Sequence, residues 1–219
     1  AIFLTGFPLP KENIGTEEGL EVLKADLFER LLRLDPARKF FSYHERSVLG
    51  WLGRDSVPAA ADRTLRVMFA IGGAGAQAEL VGKILRGLKE RLVAGDVRLT
   101  LSCGIQKSVF ERVQGDLSEA GLRGELGRSV EIVYDPDAYA YLDRFNARLR
   151  TTDVLWTKPS ELAFYCGLGL PILMADPIGA HEELNKRRLR AIHAGVSPAG
   201  PGEACGEWLF DLRENGRLA

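Results

Sequence analysis

The sequence has little of several features that mark specialised protein classes. Its three cysteines among 219 residues, Cys103, Cys166 and Cys205, have no CxxC or Cys/His spacing. This argues against a disulfide framework or a structural zinc site and favours reduced cysteines in a cytoplasmic protein. The formal net charge of −1 disfavours nucleic acid as a partner, because such partners are bound through excess lysine and arginine. No apolar run is long enough to predict a membrane-spanning helix.

Common catalytic and metal-binding signatures are also missing. The sequence contains no Ser/His/Asp set, no HExxH and no GxxxxGK[ST] phosphate loop. Asp135 and Asp137 have the spacing of an Asp-x-Asp metal motif, but Asp135-Pro136 is typical of a helix start, with Asp135 as the predicted N-cap. The sequence therefore predicts no metal site and no resident cofactor.

What the sequence does contain is a regular alternation of strand and helix patterns after Arg66. Its hydrophobic content of 46% is enough for a large core. Apolar runs of strand length are each followed by a helical pattern, and they cover residues 66–71, 97–102, 129–134, 153–156 and 171–175. Five βα units in succession predict an α/β fold with a doubly wound parallel sheet and right-handed crossovers.

The first part of the chain has a different pattern. Leucines recur at helical spacing between residues 16 and 34, and residues 40–52 form an aromatic-rich helical candidate. We therefore predict that residues 1–62 are the remnant of an interdomain linker with a helical appendage, and that residues 63–219 are one Rossmann-like domain. The absence of an initiator methionine and of a C-terminal cap leads us to expect a piece of a longer protein.

A glycine-rich loop follows the first predicted strand. Gly73, Gly75 and Ala78 fit the spacing G-x-G-x-x-A, in which glycines let a pyrophosphate approach the backbone of a helix start. A tight turn without a ligand is the alternative interpretation. The second strand ends in Ser102-Cys103-Gly104 without the carboxylate that would hold a nicotinamide cofactor's ribose, which disfavours a dinucleotide enzyme.

Two later βα junctions, at residues 157–161 and 181–185, carry polar side chains to the carboxyl edge of the predicted sheet. Lys158 and helix-start amides there suit phosphate, and Glu161 suits a ribose diol, although it is also a common helix-start residue. His181 and Glu182 suit sugar hydroxyls. The sequence thus points to a phosphorylated, hydroxyl-rich small molecule.

These segments, in this order, resemble the carboxyl-terminal, donor-binding domain of GT-B fold glycosyltransferases. They are similar to peptidoglycan lipid-intermediate N-acetylglucosaminyltransferases and monogalactosyldiacylglycerol synthases. The resemblance rests on LTGFPLP at 4–10, GGAGAQ at 72–77, SCG at 102–104, VYDPD at 133–137, and the series TKP, GLGLP and IGAHEELN between 157 and 185.

The resemblance implies the Rossmann-like half of a GT-B fold and a hexosyltransferase that uses a UDP-sugar as substrate, without metal or cofactor. It implies an acceptor hydroxyl on a lipid or lipid-linked molecule, a general base on an absent amino-terminal acceptor domain, and a cytoplasmic location at the inner membrane face. The Tyr134 backbone would receive the uracil. The predicted donor-binding residues are Gly73, Gly75, Ala76, Ser102, Cys103, Tyr134, Thr157, Lys158, Ser160, Glu161, His181, Glu182 and Asn185.

Two departures from the family's pattern keep alternatives open. The turn after the fourth strand is shorter, so that the family's ribose-binding glutamate aligns with Phe164, and His181 stands where glutamine is usual. A nucleotide-sugar epimerase of the same fold, or a degenerate GT-B module without catalysis, would also fit. We expect the isolated chain to bind nucleotide weakly and to transfer no sugar.

Overall fold

Six parallel strands form one sheet in the computed structural model, which describes residues 9–16, 18–58, 62–71, 75, 77–159, 162–177 and 179–219. The strand order is β3-β2-β1-β4-β5-β6. The strands are β1 (Leu65–Ala70), β2 (Val97–Gly104), β3 (Val130–Tyr134), β4 (Val154–Thr157), β5 (Ile172–Met174) and β6 (Gly195–Val196).

Helices connect the strands and cover both faces of the sheet. They are α1 (Lys11–Ile14), α2 (Glu21–Leu34), α3 (Phe41–Leu52), α4 (Leu80–Ala94), α5 (Lys107–Glu119), α6 (Ala138–Thr151), α7 (Leu162–Gly167), α8 (Ala180–Ala191) and α9 (Cys205–Glu214). Short 3-10 turns lie at Arg123–Glu125 and Gly202–Ala204. Within the described ranges, no helix combines the length and apolar character needed to cross a bilayer.

The predicted α/β fold with a doubly wound parallel sheet is confirmed. All five predicted strands are present, with no end shifted by more than two residues. The sixth strand, Gly195–Val196, was not predicted, because two residues are too short to show a strand pattern.

The core lies on both sides of the sheet because successive strand residues point to opposite faces. On one face, Val67 and Phe69 of β1 pack in one cluster with residues of α4, α5 and α9. On the other face, Met68 of β1 packs with Phe145 and Leu149 of α6. Strands buried on both faces are nearly continuous in apolar residues, which is why these runs were recognisable in the sequence.

Helix α2 is joined to the amino ends of the strands by buried charged residues. The Arg33 guanidinium donates through Nε to both carboxylate oxygens of Asp153, at 2.9 and 3.0 Å. Asp153, directly before β4, also accepts from the backbone N–H of Arg66 at 2.9 Å. Arg30 donates to the carbonyl oxygen of Thr152 at 2.8 Å. Thus α2 packs on the same sheet, and the domain boundary predicted at residue 62 stays a prediction.

The start of α6 differs from the prediction in its capping residue. The Asp137 carboxylate accepts from the backbone N–H of Ala140 at 2.8 Å and is the N-cap. Asp135, the predicted N-cap, accepts instead from the Asp137 N–H at 3.0 Å, in the turn before the helix. The prediction of Asp135 was wrong because the helix begins two residues later than the proline pattern suggested. Both carboxylates are engaged in this turn.

Close packing between α4 and the segment before α9 leads to a stability prediction. A Cβ atom at Gly87 would overlap the carbonyl oxygen of Gly202 and lie 2.9 Å from that of Glu203. Backbone atoms cannot move aside cheaply, so we expect Gly87→Ala to lower the free energy of unfolding by about 2 kcal/mol or more. Urea denaturation would measure this change.

Gly115 in α5 is the matched control for this substitution. It is exposed, and an added Cβ atom would meet no atom within 4 Å. We expect Gly115→Ala to raise the free energy of unfolding by roughly 0.5–1 kcal/mol, because alanine loses less backbone entropy in a helix. Equal effects of the two substitutions would show that the α4 contact is loose.

Candidate functional site

The strand order places a topological switch point between β1 and β4. From β1 the chain winds outward through β2 to β3, and from β4 it winds the other way to β6. Ligands of open α/β sheets bind in the crevice that such a reversal leaves at the carboxyl ends of the strands. There the Thr157 hydroxyl, at the end of β4, donates to the Ala70 carbonyl of β1 at 3.3 Å. Thr157 is buried and already engaged in this contact.

Part of the predicted site lies outside the described residues. This applies to Gly73 and Ala76 of the glycine-rich loop and to Ser160 and Glu161 after β4. Gly75 is described and has a φ of +74°, in the left-handed region that favours glycine. A Cβ atom there would lie 3.2 Å from Val109 of α5, so the loop backbone passes close to that helix.

The structure brings Lys158, His181, Glu182 and Asn185 together at the carboxyl edge, and we call these four residues the carboxyl-edge cluster. Lys158 Nζ lies 3.2 Å from Glu182 Oε1, and His181 Nε2 lies 3.8 Å from the same oxygen. The Asn185 side-chain amide donates to the Pro159 carbonyl at 3.1 Å. The turn after β4 and the start of α8 are therefore joined by polar contacts.

Burial differs sharply within the carboxyl-edge cluster. The Glu182 side chain is 3% exposed, Lys158 is 25% exposed, and His181 is 76% exposed. A carboxylate as buried as Glu182 remains ionised only with a counter-ion, which Lys158 supplies. Lys158 and His181 are thus the members that a ligand can reach, whereas Glu182 holds Lys158 in position.

Gln77 is a residue of this edge that the sequence did not single out. Its side-chain amide donates to the Asp176 carbonyl at 2.8 Å, which links the loop after β1 to the loop after β5 across the end of β4. Gln77 is buried and has a φ of +68°. A positive φ outside glycine is unfavourable and is concentrated at functional sites. The available signal was its position at the end of the GGAGAQ motif.

The side chains of Ser102 and Cys103, near the end of β2, point to opposite faces of the sheet. Cys103 lies in the hydrophobic core, and burial raises the pKa of its thiol to about 12. The Cys103 thiol is therefore part of the core, and the assignment of Cys103 to the donor site stays a prediction. Ser102 points to the opposite face, where its hydroxyl shares a hydrogen bond of 2.8 Å with the Tyr141 hydroxyl.

Tyr134 ends β3 beside an aromatic partner. Its ring stacks on Phe110 of α5 with centroids 4.6 Å apart and an interplanar angle of 15°. Next to it, Gly104 ends β2 with a φ of +71°, and an added Cβ atom there would meet no atom of the described residues within 4 Å. Among those residues, the space at Gly104 lies next to a flat aromatic pair.

The described residues contain no group of three His, Cys, Asp or Glu side chains that could hold a metal ion. What the carboxyl-edge cluster offers is the partly exposed lysine Lys158 and the exposed imidazole of His181, next to the start of α8. That helix follows Gly179 and has no side-chain cap. Such helix starts favour anionic groups.

A comparison of the sequence with protein-family models gives a match. The model described as Domain of unknown function (DUF6938) matches residues 58–125 and 123–197, which together exceed half of the chain and include all six strands. No curated protein and no solved structure matches the chain.

Proposed function

As the chain belongs to a family whose description, Domain of unknown function (DUF6938), names no activity, we propose its function from the geometry of the carboxyl edge. The chain binds a nucleoside diphosphate sugar with UDP as the nucleotide, and it is the donor-binding part of a glycosyltransferase. The observation that carries this proposal is the carboxyl-edge cluster at the switch point between β1 and β4, with Lys158 held at the start of α8.

The diphosphate is the part of the ligand with the strongest support. Lys158 is held by Glu182 at 3.2 Å but keeps a quarter of its side chain exposed, so its ammonium group can contact an oxyanion. The uncapped start of α8 adds N–H groups and a favourable helix dipole. Because Glu182 already balances the charge of Lys158, we expect moderate rather than tight binding.

The sugar and the nucleoside are assigned to the two sides of the diphosphate. His181, at the beginning of α8, is the most exposed member of the carboxyl-edge cluster and is the candidate contact for sugar hydroxyls. The open space above Gly104, beside the stacked Tyr134 and Phe110 rings, suits a flat base. A uridine there would lie near the backbone of Tyr134, as the resemblance implies.

The proposed transfer depends on stabilising the leaving UDP. As the bond from the sugar to the diphosphate breaks, negative charge grows on the diphosphate, where Lys158 and the helix start can stabilise it. The acceptor hydroxyl needs a general base, which the resemblance places on a separate amino-terminal domain. We therefore expect binding, but no sugar transfer, from this chain alone.

Isothermal titration calorimetry of UDP, uridine, UDP-galactose and UDP-N-acetylglucosamine tests the proposal. We expect UDP and at least one UDP-sugar to bind and uridine to bind much more weakly, because uridine lacks the diphosphate. ADP is the control for the base and should bind more weakly than UDP. The proposal fails if millimolar UDP gives no binding, or if uridine binds as well as UDP. Sugar transfer by the chain alone would contradict the assignment of the base to another domain.

A further inference from the structure

A cavity lies at the opposite end of the strands from the carboxyl-edge cluster. Its volume is about 400 Å³. The first residues of β1, β2 and β3 line it, together with the last turn of α6. Four arginines project from these elements, and we call the space between them the arginine cavity: Arg66, Arg98, Arg128 and Arg148.

Two of these arginines stand side by side on neighbouring strands. Arg66 of β1 and Arg98 of β2 are register partners. The residues that follow them, Val67 and Leu99, lie in the core on one face of the sheet, so both arginines project from the other face. Like charges directly opposite each other destabilise a sheet. An anionic ligand between the two guanidinium groups would offset this repulsion.

The ion pairs around the cavity leave its central arginine unpaired. Arg66 contacts Asp62 at 2.8 Å on one side, and Arg148 contacts Glu131 at 2.7 Å on the other. Arg98 lies between them, because β2 lies between β1 and β3. Among the described residues, the Arg98 side chain has neither an ion-pair partner nor a hydrogen-bond partner. The two outer arginines are thus held in place, while the central one is available.

The remaining polar groups also favour an anion. Thr100 lies two residues after Arg98, on the same face of β2, and its hydroxyl bonds to none of the described residues. Arg128 is an exposed donor at the rim. The chain as a whole has a formal net charge of −1, so this concentration of arginine is local.

We propose that the arginine cavity is a second binding site, for a small molecule that carries a phosphate group. The three or four oxygens of a phosphate can accept hydrogen bonds from several guanidinium groups at once, which the two oxygens of a carboxylate do less well. The volume lies in the range of small-molecule sites. This site is independent of the proposed function, because it shares no residue with the carboxyl-edge cluster.

Calorimetric titration of the whole chain with inorganic phosphate and with inorganic pyrophosphate tests this proposal. We expect at least one of the two ions to bind, and Arg98→Gln to weaken that binding by about tenfold or more, as expected for the loss of a hydrogen bond to a charged group. Arg98→Lys, which keeps the charge but loses the planar fork, should have an intermediate affinity.

Two matched variants separate this site from general electrostatics and from the carboxyl edge. Arg46→Gln removes an equally exposed arginine from α3 and should leave the affinity unchanged. Because the carboxyl edge is itself proposed to bind a diphosphate, Arg98→Gln should weaken phosphate binding by the same factor in a Lys158→Met background, which lacks that contribution. The proposal is overturned if neither ion binds, if Arg98→Gln has no larger effect than Arg46→Gln, or if Lys158→Met rather than Arg98→Gln abolishes binding.

Discussion

Replacing Arg33 with methionine is expected to lower the free energy of unfolding by about 3–5 kcal/mol near neutral pH, the usual effect of removing one partner of a buried ion pair. The Arg33 and Asp153 side chains are both buried, and the substitution leaves the Asp153 carboxylate with the Arg66 N–H but without its charged partner. Arg33 also joins two distant parts of the chain, since its carbonyl accepts from Arg213 Nε of α9 at 2.7 Å. Urea denaturation would measure the loss.

The effect of the Arg33 substitution should depend on pH. Burial raises the pKa of Asp153 to about 6, against the opposing effect of Arg33. Without Arg33 the pKa rises further, while in the unfolded chain it stays near its ordinary value of 3.8. A group whose pKa is higher in the folded state gives stability that is complete at low pH and is lost as the pH rises through the folded-state pKa. The variant should therefore lose much less stability at about pH 5 than at about pH 8.

Arg187→Met is the control for this experiment. Arg187 forms an exposed pair with Glu183, one turn earlier on α8, at 3.4 Å. Such pairs contribute at most about 1 kcal/mol, so the control should change stability little at either pH. A loss for Arg33→Met that is equally small, or that is the same at both pH values, would show that Asp153 does not depend on Arg33.

Replacing Lys158 with methionine is expected to weaken UDP binding by about tenfold or more, because the diphosphate loses its only reachable lysine in the carboxyl-edge cluster. Glu182→Gln should have the opposite effect and strengthen UDP binding severalfold. The glutamine keeps the size of the buried side chain but no longer neutralises Lys158, whose full charge then acts on the diphosphate. Calorimetry on both variants gives the two affinities.

The opposite signs of these two effects separate a direct electrostatic role from a loss of folding. Lys89→Met, which removes an exposed lysine of α4, should leave UDP affinity unchanged. Circular dichroism would show that each variant is folded at the temperature of the titration. If Glu182→Gln weakens UDP binding as much as Lys158→Met does, Glu182 contacts the ligand itself, and its assignment as the counter-ion of Lys158 is wrong.

The local patterns of the sequence were enough for most of the secondary structure. The sequence shows the apolar runs of β1 to β5 and the leucine spacing of α2 and α4. Both patterns repeat within a few residues, which is the range that periodicity can detect. The start of α6 was placed two residues early, since Asp135 and Asp137 both suit a cap and only the hydrogen bonds distinguish them. The residues of β6 were too few to show any period.

The sequence predicted which segments form the candidate site, but not the contacts between their side chains. The sequence indicated that Lys158 and Glu182 would reach the same edge, because both follow strands of a parallel sheet. It did not indicate that they form a buried pair, nor that the Cys103 thiol faces the core. A shift of one residue along a strand moves each side chain to the opposite face of the sheet. The three residues of SCG are too few for periodicity to show which face the Cys103 thiol takes.

By itself, the sequence determined that this chain alternates strands and helices and builds a doubly wound parallel sheet with polar turns at its carboxyl edge. Only the tertiary structure decided the strand order, the switch point between β1 and β4, the pairing of Arg33 with Asp153, and the alignment of Arg66 beside Arg98. The physical reason is the distance along the chain over which each interaction acts. Periodicity and turn chemistry act over a few residues, whereas strand order and buried charge pairs join segments that are distant in the chain and meet only when the core has packed.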